Sequence, residues 1–203
     1  MNLHPSAPYW DQGVEAVPVM TGASKLLDCR DVRTIAEAFG ISLPFEDVLD
    51  VGCGTGRVSR VSRAYLGLDI APSAIAYCGA RHIPAMLITG AQDVVHAAAI
   101  WRPISMHQMP HTTPWPQAVA LSVMTHISAT ERVSYLRAIA GVADRLLVDI
   151  IPGDGTGTVA AWTAEPAEFE EALTLTGWHI RHAESWRWYD RTHRYYDVTK
   201  AVA

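Results

Sequence analysis

The stretch Val48-Leu-Asp-Val-Gly-Cys-Gly-Thr-Gly-Arg57 decides how the rest of the chain is read. An apolar run from Asp47 to Val51 ends at three alternating glycines, Gly52, Gly54 and Gly56. Such a run, with no polar alternation, suits a strand buried on both faces of a parallel sheet. Glycines at its carboxyl end let the backbone turn tightly and approach a ligand closely. The next apolar run, Leu66-Gly-Leu-Asp-Ile70, ends in Asp69. A carboxylate there is placed to accept hydrogen bonds from both hydroxyls of a ribose lying across the strand ends. A dinucleotide fingerprint carries its third glycine at the sixth position, GxGxxG. Arg57 occupies that position, and the glycines run GxGxG behind Asp50 instead.

Outward from this loop, strand and helix patterns alternate. Residues 25–39 show apolar positions at three- and four-residue steps, stopped by Gly40. Pro72 opens a helix through about residue 80. Strands are expected over 65–70, 84–89, 118–123 and 146–151. Ser128-Ala-Thr-Glu131 reads as a capping box, its hydroxyl and carboxylate satisfying each other's orphan backbone donors. A last helix over about 164–176 ends at Gly177, followed by strands near 178–183 and 194–202. Alternation of this kind predicts a doubly wound, mostly parallel α/β sheet of about seven strands, with helices on both faces and right-handed crossovers. Residues 1–203 are expected to form a single domain, with an N-terminal arm and helix over 1–40 and an inserted, lid-like segment over 94–117.

The crossover after the glycines is short. Nineteen residues separate Asp50 from Asp69. A helix from Gly56 to Tyr65 rises only about 13 Å, while a five-residue strand is about 17 Å long. The helix must therefore start inside the glycine loop and have almost no return loop. Its arginines, Arg57, Arg60 and Arg63, read as a solvated face.

Composition sets the outer limits. A chain of 203 residues, 49% hydrophobic and 18% charged, is globular and long enough to bury a sizeable core without disulfides. The net charge of −5 disfavours a nucleic-acid partner, whose phosphates call for the opposite sign. No apolar run approaches a membrane span and the N-terminus lacks a signal-peptide pattern, so no membrane partner is expected. Cys29, Cys53 and Cys78 are odd in number and without CxxC spacing, which reads as reduced thiols and a cytoplasmic location.

The string from Asp50 to Gly56, with Asp69 behind it, resembles motifs I and II of the class I S-adenosylmethionine-dependent methyltransferases. The resemblance covers residues 47–151 well and the remainder loosely. It implies S-adenosylmethionine as cofactor, S-adenosylhomocysteine as product, and a methyltransferase acting on a small-molecule substrate. By the same resemblance, Asp50, Gly52, Cys53, Gly54 and Gly56 form the cofactor loop and Asp69 holds the ribose. Ile70 packs on adenine, Asp93 with Gln92 beside it takes the adenine amino group, and a main-chain carbonyl around Ser122 meets the methionine ammonium. The family's frequent Asp before the fourth strand is replaced by Pro116-Gln117.

Methyl transfer aligns donor, methyl and nucleophile and often removes one proton. His126, after the fourth strand, is the candidate base, because imidazole titrates near neutral pH. The Asn/Asp-Pro-Pro-aromatic motif of base and amide methylation is replaced by Ala120-Leu-Ser-Val123, and no Pro-Cys pair offers the thiolate used at cytosine C5. The remaining acceptor is an oxygen or nitrogen of a small metabolite. Tyr9, Trp10, His107 and His111 are candidate substrate contacts, with no metal site expected at the His pair because Pro110 spoils the helix that would align it. A nucleic-acid methyltransferase and a non-catalytic cofactor-binding subunit are the alternatives; a nicotinamide dehydrogenase is disfavoured by Arg57. A homo-oligomer is compatible with the sequence.

Overall fold

The computed structural model describes residues 29–101, 114–153, 157–158, 161–188 and 191–201. Among these, nine strands form one sheet: β1 Phe45–Val51, β2 Ser62–Asp69, β3 Ala85–Leu87, β4 Gln117–Ala120, β5 Arg145–Pro152, β6 Gly157–Thr158, β7 Ala161–Ala164, β8 Trp178–Trp188 and β9 Arg191–Lys200. The path runs β3-β2-β1-β4-β5, with β9 antiparallel to β5 and β8 antiparallel to β9. β7 and β6 extend the far end of β5 as a small hairpin. The expected doubly wound, mostly parallel sheet is present, enlarged beyond about seven strands by that hairpin.

Among the described residues there are five α-helices: α1 Arg30–Ala38, α2 Pro72–Gly79, α3 Ala91–Ile100, α4 Ala129–Val142 and α5 Pro166–Leu175. They lie on both faces because the central strands are buried on both. On one face Leu49, Leu66, Ala118, Leu146 and Val148 pack under α3 and α4. On the other, Val48, Val119, Leu147 and Tyr195 pack under Val32, Ile35 and Ala36 of α1. α1 stops as expected: Gly40, at φ +62°, lets its N–H reach the Glu37 carbonyl and the Ile41 N–H reach that of Ala36. Pro72 and Pro166 open α2 and α5 at positions whose N–H has no helical partner.

Several expectations are corrected. The crossover after the glycines is a single 3₁₀ turn, Arg57–Val61, running straight into β2 three residues earlier than the apolar run alone suggests. The 3₁₀ form climbs about 2.0 Å per residue, which covers the short return better than an α-helix does. Arg57 is not on a solvated face: its guanidinium is half-buried and ion-paired with Asp31 of α1. Arg63 is exposed, 3.4 Å from Glu46. The capping box closes differently, with the Ser128 hydroxyl donating to the Glu131 carboxylate at 2.7 Å and making no bond to a backbone N–H. The lid expectation shrinks. Residues 94–100 belong to α3, which buries Val94, Ala97 and Ala98 in the core. Trp115 is also core, stacked on Trp101 at 6.2 Å with its indole N–H on the Ala98 carbonyl. Residues 102–113 lie outside the described residues.

Candidate functional site

The carboxyl ends of β1, β2, β4 and β5 meet along one edge of the sheet, the usual location of a ligand crevice in an open α/β fold. The glycine loop opens that edge. Gly52, Gly54 and Gly56 all adopt left-handed backbone, at φ +75°, +52° and +71°. The N–H groups of Gly52 and Cys53 both donate to the Leu68 carbonyl, at 2.7 and 3.0 Å. The loop is thereby stitched to the end of β2. A Cβ on Gly52 would sit 2.2 Å from Val123 Cγ2, so the loop also touches the segment after β4. Cys53 is buried, and its thiol packs against Gly67, where an added Cβ would lie 2.7 Å from Sγ.

Asp69 closes the loop from below. Its carboxylate accepts from the Gly54 N–H at 2.7 Å and from the Ala71 N–H at 2.9 Å. Burial raises its pKa while those two N–H donors oppose the shift. Asp50, on the adjacent strand, is buried and accepts the Tyr65 hydroxyl at 2.8 Å. Burial pushes the Asp50 carboxyl up to about 7, against the pull of the Tyr65 hydroxyl and Arg57. For Arg57 burial works against the charge, and the carboxylates of Asp31, Asp50 and Asp149 more than offset it.

The segment after β4 carries the second half of the site. Ser122 is a non-glycine residue at φ +60°, a left-handed conformation that costs an ordinary side chain about 1–2 kcal/mol. What holds it is Asp149, in the apolar run of β5, whose Oδ1 accepts the Ser122 N–H. The other oxygen of Asp149, Oδ2, lies 2.6 Å from Nδ1 of His193 on β9. His126 follows in the 3₁₀ turn Met124–His126, half-buried, its N–H on the Val123 carbonyl and its Nδ1 enclosed. Arg132 of α4, itself buried, anchors this turn by donating to the Met124 carbonyl at 2.7 Å and reaches the Thr163 carbonyl of β7 at 3.2 Å.

At the end beside β3, Asp93 lies in the first turn of α3. Its Oδ2 accepts the Thr89 N–H at 2.6 Å and the Thr89 hydroxyl at 2.7 Å, bonds that hold its carboxyl below the ordinary range. Gln92 is exposed beside Gly90, and Ile70 is half-buried against the core at the tip of β2. The structure thus gathers Asp50, Gly52, Cys53, Gly54, Gly56, Asp69, Ile70, Gln92, Asp93, Ser122 and His126 at or near one sheet edge. Tyr9, Trp10, His107 and His111 lie outside the described residues. Sequence reasoning missed Tyr65, Asp149, His193 and the Asp31–Arg57 pair. Asp149 did carry a signal: an acid within Leu146-Leu-Val-Asp-Ile150 is costly to bury unless it is paired.

No protein-family model matches the chain, and no curated protein matches it in sequence. Solved structures do match in fold. One is a magnesium protoporphyrin IX methyltransferase from Synechocystis PCC 6803 with bound S-adenosylhomocysteine; it is 19% identical with a TM-score of 0.61, over 84% of this chain and 81% of that one. A second is an S-adenosylmethionine-dependent methyltransferase of Leishmania major, 13% identical with a TM-score of 0.64, over 96% and 81%. A third, from Clostridium acetobutylicum ATCC 824, is 9% identical with a TM-score of 0.59, over 93% and 96%. The chain has the fold of the class I S-adenosylmethionine-dependent methyltransferases. Among the described residues, no helix is long and apolar enough to cross a membrane.

Proposed function

We propose that the protein transfers a methyl group from S-adenosylmethionine to an oxygen or nitrogen of a small molecule. The observation that carries this reading is the pairing of Asp69 with the Gly54 N–H at 2.7 Å, beneath three left-handed glycines. It sets a carboxylate and bare backbone side by side at the edge where a nucleoside would lie. In this reading Asp69 holds the ribose and Ile70 packs on adenine. Asp93 offers Oδ1 to the adenine amino group, since both Thr89 bonds end on Oδ2. Gln92 borders the same end. The Ser122 carbonyl meets the methionine ammonium, and Asp50 supplies negative charge behind Gly52, Cys53, Gly54 and Gly56. Bound there, the cofactor supplies an electrophilic methyl on a positive sulfur. This chain's part is to align the acceptor with it and take up one proton.

A small acceptor fits the net charge of −5 and the absence of the Asn/Asp-Pro-Pro-aromatic and Pro-Cys motifs.

Thermal melting tests the reading directly. S-adenosylhomocysteine at about 100 times its dissociation constant is expected to stabilise the fold by about 2.7 kcal/mol, while NAD leaves the melting temperature unchanged. Isothermal titration that finds no heat with either donor or product would remove the proposal. Asp69→Ala is expected to weaken S-adenosylhomocysteine binding by about a hundredfold, roughly 2.7 kcal/mol. It loses both the ribose acceptor and the two N–H contacts that shape the loop. Affinity equal to that of the parent protein would reassign Asp69 to structure alone.

A further inference from the structure

We propose that His193, oriented by Asp149, is the catalytic base that takes the proton from the methyl acceptor. The inference rests on the methyltransferase reading above and deepens it, placing a base that the sequence alone located at His126.

The geometry is that of a histidine aimed by a buried acid. Asp149 is fully buried and both of its oxygens are engaged, Oδ1 by the Ser122 N–H and Oδ2 by His193 Nδ1 at 2.6 Å. In the proposed role Nδ1–H donates to the Asp149 carboxylate, which leaves the ring's lone pair on Nε2. Among the described residues the ring makes no other hydrogen bond. Its face is fixed by stacking on Tyr195, with centroids 5.9 Å apart. The side chain is 12% exposed, enough to meet a ligand yet held in one orientation.

Position supports the role. β9 runs antiparallel to β5, so its opening residues lie beside the carboxyl end of β5, on the same sheet edge as the glycine loop. Contacts run without a gap from Gly52 to Val123, from neighbouring Ser122 to Asp149, and from Asp149 to His193. Across the edge the order is Asp69 on β2, the glycines after β1, Ser122 after β4, Asp149 on β5 and His193 on β9. In the proposed pose these become ribose, methionine and acceptor in turn. Asp149 serves two ends of the site at once, holding the Ser122 carbonyl toward the methionine group and the imidazole toward the acceptor. His126 Nδ1, by contrast, is buried in the segment after β4.

In the step itself, a lone pair on the acceptor oxygen or nitrogen forms the bond to the methyl carbon. The carbon–sulfur bond breaks, and sulfur keeps that electron pair and becomes neutral. The acceptor proton passes to His193 Nε2, where the Asp149 carboxylate stabilises the imidazolium, and then to water. A base is useful only where the nucleophile carries a proton at rest. The acceptor class is therefore a hydroxyl or an N–H amine, not a thioether or a tertiary amine.

The test needs no knowledge of the acceptor. A haloethylamino analogue of S-adenosylmethionine, which closes to an aziridinium where the methyl would be, is incubated with the protein alone and the adduct is located by peptide mass mapping. Alkylation is expected on His193. His193→Gln should lower total adduct by about tenfold or more while S-adenosylhomocysteine affinity stays within about threefold. Asp149→Asn should slow labelling by about tenfold, because the ring loses its orientation. Adduct on His126, or none on His193 although the analogue displaces S-adenosylhomocysteine, overturns the assignment. If neither the analogue nor S-adenosylhomocysteine binds, the methyltransferase reading itself falls, and this inference with it.

Discussion

Gly52→Ala is expected to destabilise the fold by roughly 2–5 kcal/mol and to abolish cofactor binding at the temperature where the parent protein binds. Two costs add. The residue sits at φ +75°, where an alanine loses about 1–2 kcal/mol to its own Cβ. That Cβ would also lie 2.2 Å from Val123 Cγ2 and 2.9 Å from Cγ1, a clash that only a backbone shift relieves. Overpacking of this kind costs about 1–3 kcal/mol. The shift cannot be absorbed locally, because the Gly52 and Cys53 N–H groups are both tied to the Leu68 carbonyl and Val123 adjoins Ser122. Differential scanning calorimetry should show a fall of about 10 °C. Gly141→Ala is the control. It lies in α4 with nothing within 4 Å of its added Cβ, and it should gain about 0.5–1 kcal/mol from helix propensity. Equal effects from the two substitutions would mean that the loop is softer than its hydrogen bonds imply.

Asp50→Asn is expected to flatten the dependence of stability on pH between about 4 and 7. The Asp50 carboxyl is raised to about 7 in the folded chain, from 3.8 in the absence of structure. Below pH 4 both states hold the proton and the group is neutral to stability. Between the two values the folded state holds a proton that the unfolded state has released, so stability falls as pH rises, by about 1.4 kcal/mol per unit. Above pH 7 both are ionised, and the loss levels off at about 4 kcal/mol relative to low pH. Asparagine keeps an oxygen for the Tyr65 hydroxyl and removes the charge. Urea denaturation at pH 5 and pH 8 should show the variant gaining on the parent protein at the higher pH. Asp69, also raised by burial, leaves a slope of the same sign in the variant. Parallel curves for the two proteins would place the titration elsewhere. The charge has a use in the proposed function, since a sulfonium donor binds more readily near an ionised Asp50, and its affinity should rise as pH passes through about 7, where the folded carboxyl ionises.

Much of the fold was legible from local chemistry. β1 and β5 announced themselves as largely apolar runs, interrupted by Asp50 and Asp149, because strands buried on both faces have no polar side to show. Gly40 and Gly177 marked helix ends because the left-handed turn that follows a helix admits few other residues. The glycine loop was legible for the same reason, since three glycines at strand-to-helix spacing and one acid on the next strand are all local features. The 3₁₀ turn Arg57–Val61 was half legible. Its shortness could be counted, but the ion pair of Arg57 with Asp31 joins residues 26 positions apart and left no mark on either segment. The expected lid over 94–117 failed in part because small apolar residues at helical spacing, Val94, Ala97 and Ala98, pack a core as readily as they line a pocket.

The sequence by itself determined the sheet, the glycine turn and the acid at the end of β2, because each rests on backbone conformation and burial within one short segment. Only the tertiary structure set His193 beside the buried Asp149. Asp149 and His193 are 44 residues apart. What joins them is the antiparallel register of β5 with β9, which faces Asp149 with Tyr195 and so puts His193 two residues along the same side.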